Sequence, residues 1–198
     1  MPEHRPAAPL TDGTLLLRPF VLDDVPAVTE ACQDPEIARW TSAIPSPYTE
    51  EDARRWIASH PERWASGLGA SFALIDPAEG ALVGTVGLQH VTREHRDAEI
   101  GYWVAAWARG HGVATRAVAL ATRWAFSSFD LDALDLLTML GNTSSERVAD
   151  KAGYHFVAVV RNVPGVVDPT ERFDAKRWAR TIRGRAVREW PEELDRPG

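Results

Sequence analysis

A single cysteine, Cys32, stands in 198 residues, which excludes an intrachain disulfide and a cysteine-built zinc cluster. Its neighbours Val28, Ala31 and Ile37 suit a small core residue rather than a nucleophile, and no metal site is expected. No run of about 18 apolar residues occurs, and Met1-Pro-Glu-His-Arg-Pro6 lacks the charged-then-apolar plan of a secretory leader. The expectation is a cytoplasmic protein with no membrane partner. No Gly-Lys pair exists, so a phosphate-binding loop of the form G-x-x-x-x-G-K-[S/T] is absent. Positive charge is outnumbered, 22 Lys and Arg against 28 Asp and Glu. A formal net charge of −6 and a pI near 5.5 argue against nucleic acid as a ligand and agree with a cationic acceptor such as an amine.

The most informative scarcity is local. From Trp107 to Phe126 there is no carboxylate, while Arg109, Arg116 and Arg123 are present. This stretch follows the strand-like Glu99-Ile-Gly-Tyr-Trp-Val104 and carries Gly110 and Gly112. It then becomes a helix with Val113, Ala117, Leu120 and Trp124 at helical spacing. Elsewhere the helix starts hold acidic or hydroxyl residues: Asp23-Asp24 before one, and Thr49 with Glu50, Glu51 and Asp52 before another. A helix start carries unpaired N–H groups and the positive end of the macrodipole, and glycines let its backbone approach a ligand, so this one reads as an anion site. The alternative is a helix capped by glycine and water with solvated arginines. A dinucleotide fingerprint fails, because Thr115 occupies the third glycine, and Asp130 and Asp132 precede the next apolar strand instead of ending it.

With 44% hydrophobic and 25% charged residues, the chain is sized for one domain. Residues 1–12, with three prolines, read as a loose lead-in, 13–182 as the domain and 183–198 as a charged peripheral tail. The patterns predict a strand at 14–20, a helix at 23–33 capped by Asp23, a short helix at 36–41 and a helix from Thr49 broken at Pro61. A hairpin of 71–75 with 81–88, a turn at 93–96 and a strand at 99–104 follow, then the glycine-opened helix. A strand at 133–140, a helix at 142–152 ended by Gly153, and strands at 154–160 and 173–182 complete the order. That order gives a mixed α/β class with an antiparallel meander. Trp40, Tyr48, Trp56 and Trp64 read as core at helical spacing, with lining of an acceptor pocket as the alternative.

Arg109-Gly-His-Gly112-Val-Ala114 resembles the R/Q-x-x-G-x-G/A signature of the GNAT superfamily, the GCN5-related N-acetyltransferases. Asn142-Thr-Ser-Ser145-Glu-Arg-Val-Ala-Asp-Lys151-Ala-Gly153-Tyr154 resembles the N-x-x-S-x-x-V-A-x-K-x-G-F element of its ribosomal-protein N-terminal acetyltransferase (RimJ/RimL-like) branch, with Tyr154 in place of phenylalanine. Glu99-Ile-Gly101-Tyr102 and Asp174 ahead of Trp178 also match that branch. The resemblance implies the GNAT acyl-CoA N-acyltransferase fold, a central mixed, mostly antiparallel sheet flanked by helices. It implies transfer of an acetyl group from acetyl-CoA to a primary amine by direct attack in a ternary complex. It places the coenzyme pyrophosphate on Arg109, Gly110, His111, Gly112, Val113, Ala114, Thr115 and Arg116. The pantetheine arm would lie along the strand edge of Tyr102, Trp103 and Val104, with the N–H near Val104 facing the thioester oxygen and Asn142 and Lys151 on the coenzyme side.

Many superfamily members place a tyrosine four residues before the glycine of the second element, where it protonates the departing thiolate. Here that place is Ala149. The resemblance leaves Ser145 as the catalytic hydroxyl, with a plain helix cap as its other reading. Strand alternation puts Glu99 on the face of Gly101 and Trp103, opposite Ile100, Tyr102 and Val104. A carboxylate there takes the amine's proton directly or through water, or else pairs with Arg93 or Arg96. His90, His95 and Asp97 are competing bases, and His155 reads as structural. The acceptor stays open between a protein N-terminus, a small amine and an antibiotic, and a homodimer is also left open. A non-catalytic acyl-CoA sensor is the competing class, since it would keep the same phosphate loop.

Overall fold

The strands are β1 (Leu10–Thr11), β2 (Leu16–Pro19), β3 (Ala70–Asp76), β4 (Ala81–Thr92), β5 (Asp97–Val104), β6 (Ala133–Met139), β7 (His155–Pro164) and β8 (Arg172–Thr181). In the computed structural model, which describes residues 8–182, they form one sheet in the order β1-β2-β3-β4-β5-β6-β8-β7. Every neighbouring pair is antiparallel except β5 with β6. The helices are α1 (Val25–Ala31), α2 (Pro35–Trp40), α3 (Glu50–Ala58), α4 (His60–Ser66), α5 (Val113–Ser128) and α6 (Thr143–Lys151).

Alternation along the strands sorts the side chains between two cores. On β3, Phe72 and Leu74 join Val113, Ala117, Leu120 and Trp124 of α5 in one cluster. Ala73 and Ile75 join Val25, Val28, Ala53 and Ile57 of α1 and α3 in the other. On β5, Ile100 and Val104 enter the first cluster and Trp103 the second. The sheet is therefore covered on both faces, and consecutive residues of β5 look toward different helices.

β5 and β6 pair only at Asp97–Glu99 with Ala133–Asp135, although β5 runs on to Val104 and β6 to Met139. β4 stays paired with β5 as far as Val104, and β8 with β6 as far as Met139. Past Glu99 and Asp135 the middle of the sheet is open.

Four local features differ from the sequence reading. Leu10 and Thr11, within the stretch read as a loose lead-in, pair with Leu17 and Leu16 as an edge strand. Asp23 does not cap the first helix. A 3-10 turn over Leu22–Asp24 precedes it, and the buried Asp24 accepts from Arg18 Nη1 and Nη2 at 2.8 and 2.7 Å and from the Val21 N–H at 2.9 Å. Asp23 thus lies inside the turn, and Asp24, the residue that precedes α1, spends its carboxylate on Arg18 and the Val21 N–H rather than on α1. Pro61 does not break a helix from within. α3 ends at Ala58, and Pro61 sits in the first turn of α4, where its missing N–H costs nothing. The final strands extend further than read, to Pro164 and from Arg172. The tail read at 183–198 lies outside the described residues. No described helix is long and apolar enough to cross a membrane.

Candidate active site

The opening between β5 and β6 is a cleft of about 890 Å³, lined by Glu99–Val104, Leu136–Met139, the start of α5 and one side of α6. That volume is at the upper end of the range for small-molecule sites. Of the residues the sequence assigned to the coenzyme, Tyr102, Trp103, Val104, Arg109, Gly110, Gly112, Val113, Ala114, Thr115, Asn142 and Lys151 line it. His111 and Arg116 are not among the lining residues.

Gly110 and Gly112 have φ of +81° and +74°, a region that L residues with a side chain rarely occupy, and Gly112 is the residue from which α5 departs. No side chain caps this helix and its first turn holds no acidic residue. The side chains of Asp34, Thr49 and Asn142 cap α2, α3 and α6. The arginines around the loop have protein partners. Arg109 Nη2 lies 2.6 Å from Asp34 Oδ2 and its Nε donates to the Val104 carbonyl at 3.1 Å, which ties the loop to β5 and α2. Arg116 Nη1 donates to the His111 carbonyl at 2.9 Å, with its Nε 3.7 Å from Asp12 Oδ2. The anion-binding capacity facing the cleft is therefore backbone N–H and helix dipole, while these guanidinium groups brace the loop.

Glu99 lies on the cleft wall. Its Oε1 accepts from Gln89 Nε2 at 2.8 Å and its Oε2 is 3.5 Å from His90 Nδ1. The two arginines considered as its surface partners are directed elsewhere: Arg93 donates to the Ser66 carbonyl, and Arg96 to Asp130 and Asp132. His90 and Asp97 do not line the cleft, and His95 is exposed in the turn before β5. In register with Glu99, Asp135 of β6 forms a buried two-pronged pair with Arg177, at 3.0 and 2.8 Å. Burial pushes the Asp135 carboxyl up to about 6 against the pull of Arg177, and the charges of Glu99 and Asp97 push the same way.

Ser145 is not the cap of its helix. Asn142 is, its Oδ1 accepting from the Ser145 N–H at 3.0 Å, which leaves the Ser145 side chain free for another use. Its Oγ lies 2.8 Å from the Tyr102 hydroxyl, across the open part of the sheet. Burial pushes the Tyr102 phenol up to about 12, opposed in part by the bond to Ser145, so it stays protonated near neutral pH. Sequence reading placed Tyr102 on the strand edge for its backbone alone. The strand parity that set it opposite Glu99 was legible, but not that α6 covers that face.

Trp40, Tyr48, Trp56 and Phe173 also line the cleft, with Glu36 and Asp52. Trp64, the fourth aromatic of the early helices, is instead buried against Phe72 and Trp124 with ring centroids 5.2 and 5.4 Å apart. Behind Trp56, the buried His60 donates from Nδ1 to the Trp56 carbonyl at 2.7 Å. Burial pushes its imidazole down to about 4, so it is neutral. Cys32 also lines the cleft, with burial holding its thiol protonated by pushing it up to about 12. The N–H groups of Val166 and Val167 both donate to the Ser42 carbonyl, at 3.1 and 2.8 Å, so the β7–β8 loop is clasped to the loop after α2. No sequence signal announced that clasp.

Comparison with known proteins bears on these features. A protein of Bacillus subtilis (strain 168) named "Probable N-acetyltransferase YjcK" is 32% identical over 115 residues, 58% of this chain and 64% of its own length. The chain thus spans less than two thirds of that relative. Among solved structures, a ribosomal-protein-S5-alanine acetyltransferase from Vibrio fischeri matches with a TM-score of 0.76 at 18% identity, covering 88% of this chain and 96% of that one. The microcin C7 self-immunity acetyltransferase MccE, in complex with acetyl-CoA and AMP, matches with a TM-score of 0.77 at 15% identity, covering 86% and 94%. These two likenesses establish the fold. A sequence model of the acetyltransferase (GNAT) domain matches residues 14–155, from just before β2 through the glycine loop to the first residue of β7, and the chain belongs to that family.

Proposed function

We propose that the protein is an N-acetyltransferase that moves an acetyl group from acetyl-CoA to a primary amine by direct attack in a ternary complex. The observation that carries this reading is the coincidence, on one cleft, of a helix start with no internal anion, a carboxylate and a pair of hydroxyls. A coenzyme's pyrophosphate is the ligand suited to the first. Uncapped N–H groups at Val113, Ala114 and Thr115 and the αL glycines offer close backbone approach without a side chain in the way. The cleft volume is adequate for the pantetheine arm, and the part of β5 left open on its β6 side supplies backbone groups for its amides.

Transfer from a thioester to an amine needs the amine neutral, a donor for the charge that develops on the acyl oxygen, and stabilisation of the departing thiolate. Glu99 takes the proton of the attacking amine, directly or through water. The N–H near Val104 faces the acyl oxygen. Ser145 presents a hydroxyl to the sulfur. Alternation on β5 supports this division, because Glu99 and Tyr102 point to opposite faces and the acceptor and the coenzyme can approach the open seam from different sides. Positioning supplies much of the acceleration. The acceptor is a small amine, an antibiotic or a protein N-terminus, and it would lie against the aromatic lining of Trp40, Tyr48, Trp56 and Phe173.

An acceptor screen that follows release of free thiol, run with acetyl-CoA and longer acyl donors, tests the reading. Turnover with at least one amine class is the expected result. Tight coenzyme binding without turnover across a broad panel would instead favour an acyl-CoA sensor.

A further inference from the structure

The Tyr102 and Ser145 hydroxyls, 2.8 Å apart, share one proton along the line between them. A serine hydroxyl has a single proton and two acceptor lone pairs, as does a phenol. If Ser145 donates to Tyr102, it has nothing left to offer a sulfur in the cleft, and the phenol proton has no acceptor among the described residues. If Tyr102 donates to Ser145, every group is used. The phenol, the stronger donor of the two, spends its proton on Ser145, and the Ser145 proton is turned toward the cleft that both residues line. We propose that Tyr102 is a positioning residue for acetyl transfer, fixing the direction of the Ser145 hydroxyl so that its proton meets the departing thiolate. This inference rests on the role assigned to Ser145 above.

Tyr102 is not itself the source of the proton that ends on sulfur. A free thiol has a pKa of about 8.5, and burial pushes Tyr102 up to about 12, so full transfer from phenol to thiolate is uphill by roughly a thousandfold or more. In the balanced reaction the N–C bond forms as the C–S bond breaks. The amine gives one proton to Glu99 or water, the thiolate leaves hydrogen-bonded to Ser145, and it then takes one proton from solvent. Ala149, buried where many relatives by resemblance carry a tyrosine, leaves no phenol on α6. Here the phenol comes from β5 and meets Ser145.

The test is a double-mutant cycle on the whole protein. Tyr102→Phe keeps the ring and removes the donor. It should lower kcat about tenfold, the scale of one well-placed hydrogen bond, with the dissociation constant for coenzyme A and the melting temperature close to wild type. In a Ser145→Ala background the same change should cost almost nothing. Ser145→Thr, which restores a hydroxyl, should recover part of the rate and the sensitivity to Tyr102→Phe. An equal loss from Tyr102→Phe in both backgrounds, or no loss in the wild type, overturns the proposal while leaving the Ser145 role standing. No loss from Ser145→Ala per folded molecule overturns both. Failure of the acetyltransferase reading itself is seen earlier, in the wild-type screen.

Discussion

α5 and α6 both begin on the cleft, and they begin in opposite ways. The start of α5 is made of backbone: glycines at positive φ, no capping side chain, no carboxylate in the first turn. The start of α6 is made of side chains: Asn142 caps it, and the serine whose N–H it holds turns its hydroxyl to a tyrosine on a facing strand. A backbone site binds charge and tolerates little change in geometry. A side-chain site performs chemistry, and it can lose one group while the helix stands. On the proposed reading, the bare, glycine-opened start of α5 would take an anion and the capped start of α6 would hold a placed hydroxyl.

The strongest way to break the contrast is to give α5 the cap it lacks. Gly112→Asp puts a carboxylate over the N–H groups and a side chain where φ is +74°, with Arg116 Nη1 3.3 Å from the new Cβ. Coenzyme binding measured by calorimetry should fall more than about a hundredfold, with a stability cost of about 1 kcal/mol from the left-handed backbone. Wild-type affinity in this variant would remove the anion site. Next in size, Ser145→Ala should lower kcat by on the order of ten- to a thousandfold per folded molecule with coenzyme affinity unchanged. A fall in affinity instead would make α6 a second binding element.

Two smaller changes sharpen the comparison. Asn142→Ala removes the α6 cap and should cost about 1 kcal/mol of stability, read as a lower denaturation midpoint. Its effect on kcat should stay well below that of Ser145→Ala. Arg116→Ala should weaken coenzyme binding by a few-fold, because its guanidinium braces the loop through the His111 carbonyl. The exposed Arg123, seven residues further along α5, should give no change when replaced by alanine. Equal effects from the two arginines would mean that overall charge, and not the loop, attracts the coenzyme.

What was legible in the sequence follows the range of the interactions involved. The period-2 pattern of β3 and β5 and the period-3.6 pattern of α5 placed those elements and their inward faces, because side-chain burial is set by local geometry. The glycine-opened, uncapped start of α5 was legible in Gly110, Gly112 and the absence of carboxylates between Trp107 and Phe126. The cap of the first helix was misplaced because Asp23 falls inside a 3-10 turn, and the residue that does precede the helix, Asp24, has its carboxylate held by Arg18 on another element. The Tyr102–Ser145 bond, the Arg109–Asp34 pair and the clasp between Ser42 and the β7–β8 loop join residues that only the sheet order brings together. That Glu99 lines the cleft while His90 and Asp97 do not was likewise not legible, since all three lie within ten residues.

The short ladder between β5 and β6 has a consequence for cohesion. β2 to β5 zip up between neighbours in sequence, whereas β6 to β8 share a strand ladder with them only at Asp97–Glu99 and are otherwise held by the packing of α5, the Arg96 pairs with Asp130 and Asp132, the Tyr102–Ser145 bond and the Ser42 clasp. The seam proposed to take a ligand is thus also where two central strands pair over only part of their length. A coenzyme lying in it would act as a staple across the seam. At a hundredfold excess over its dissociation constant it would add about 2.7 kcal/mol to the folded state, a substantial fraction of the total for a domain of this size.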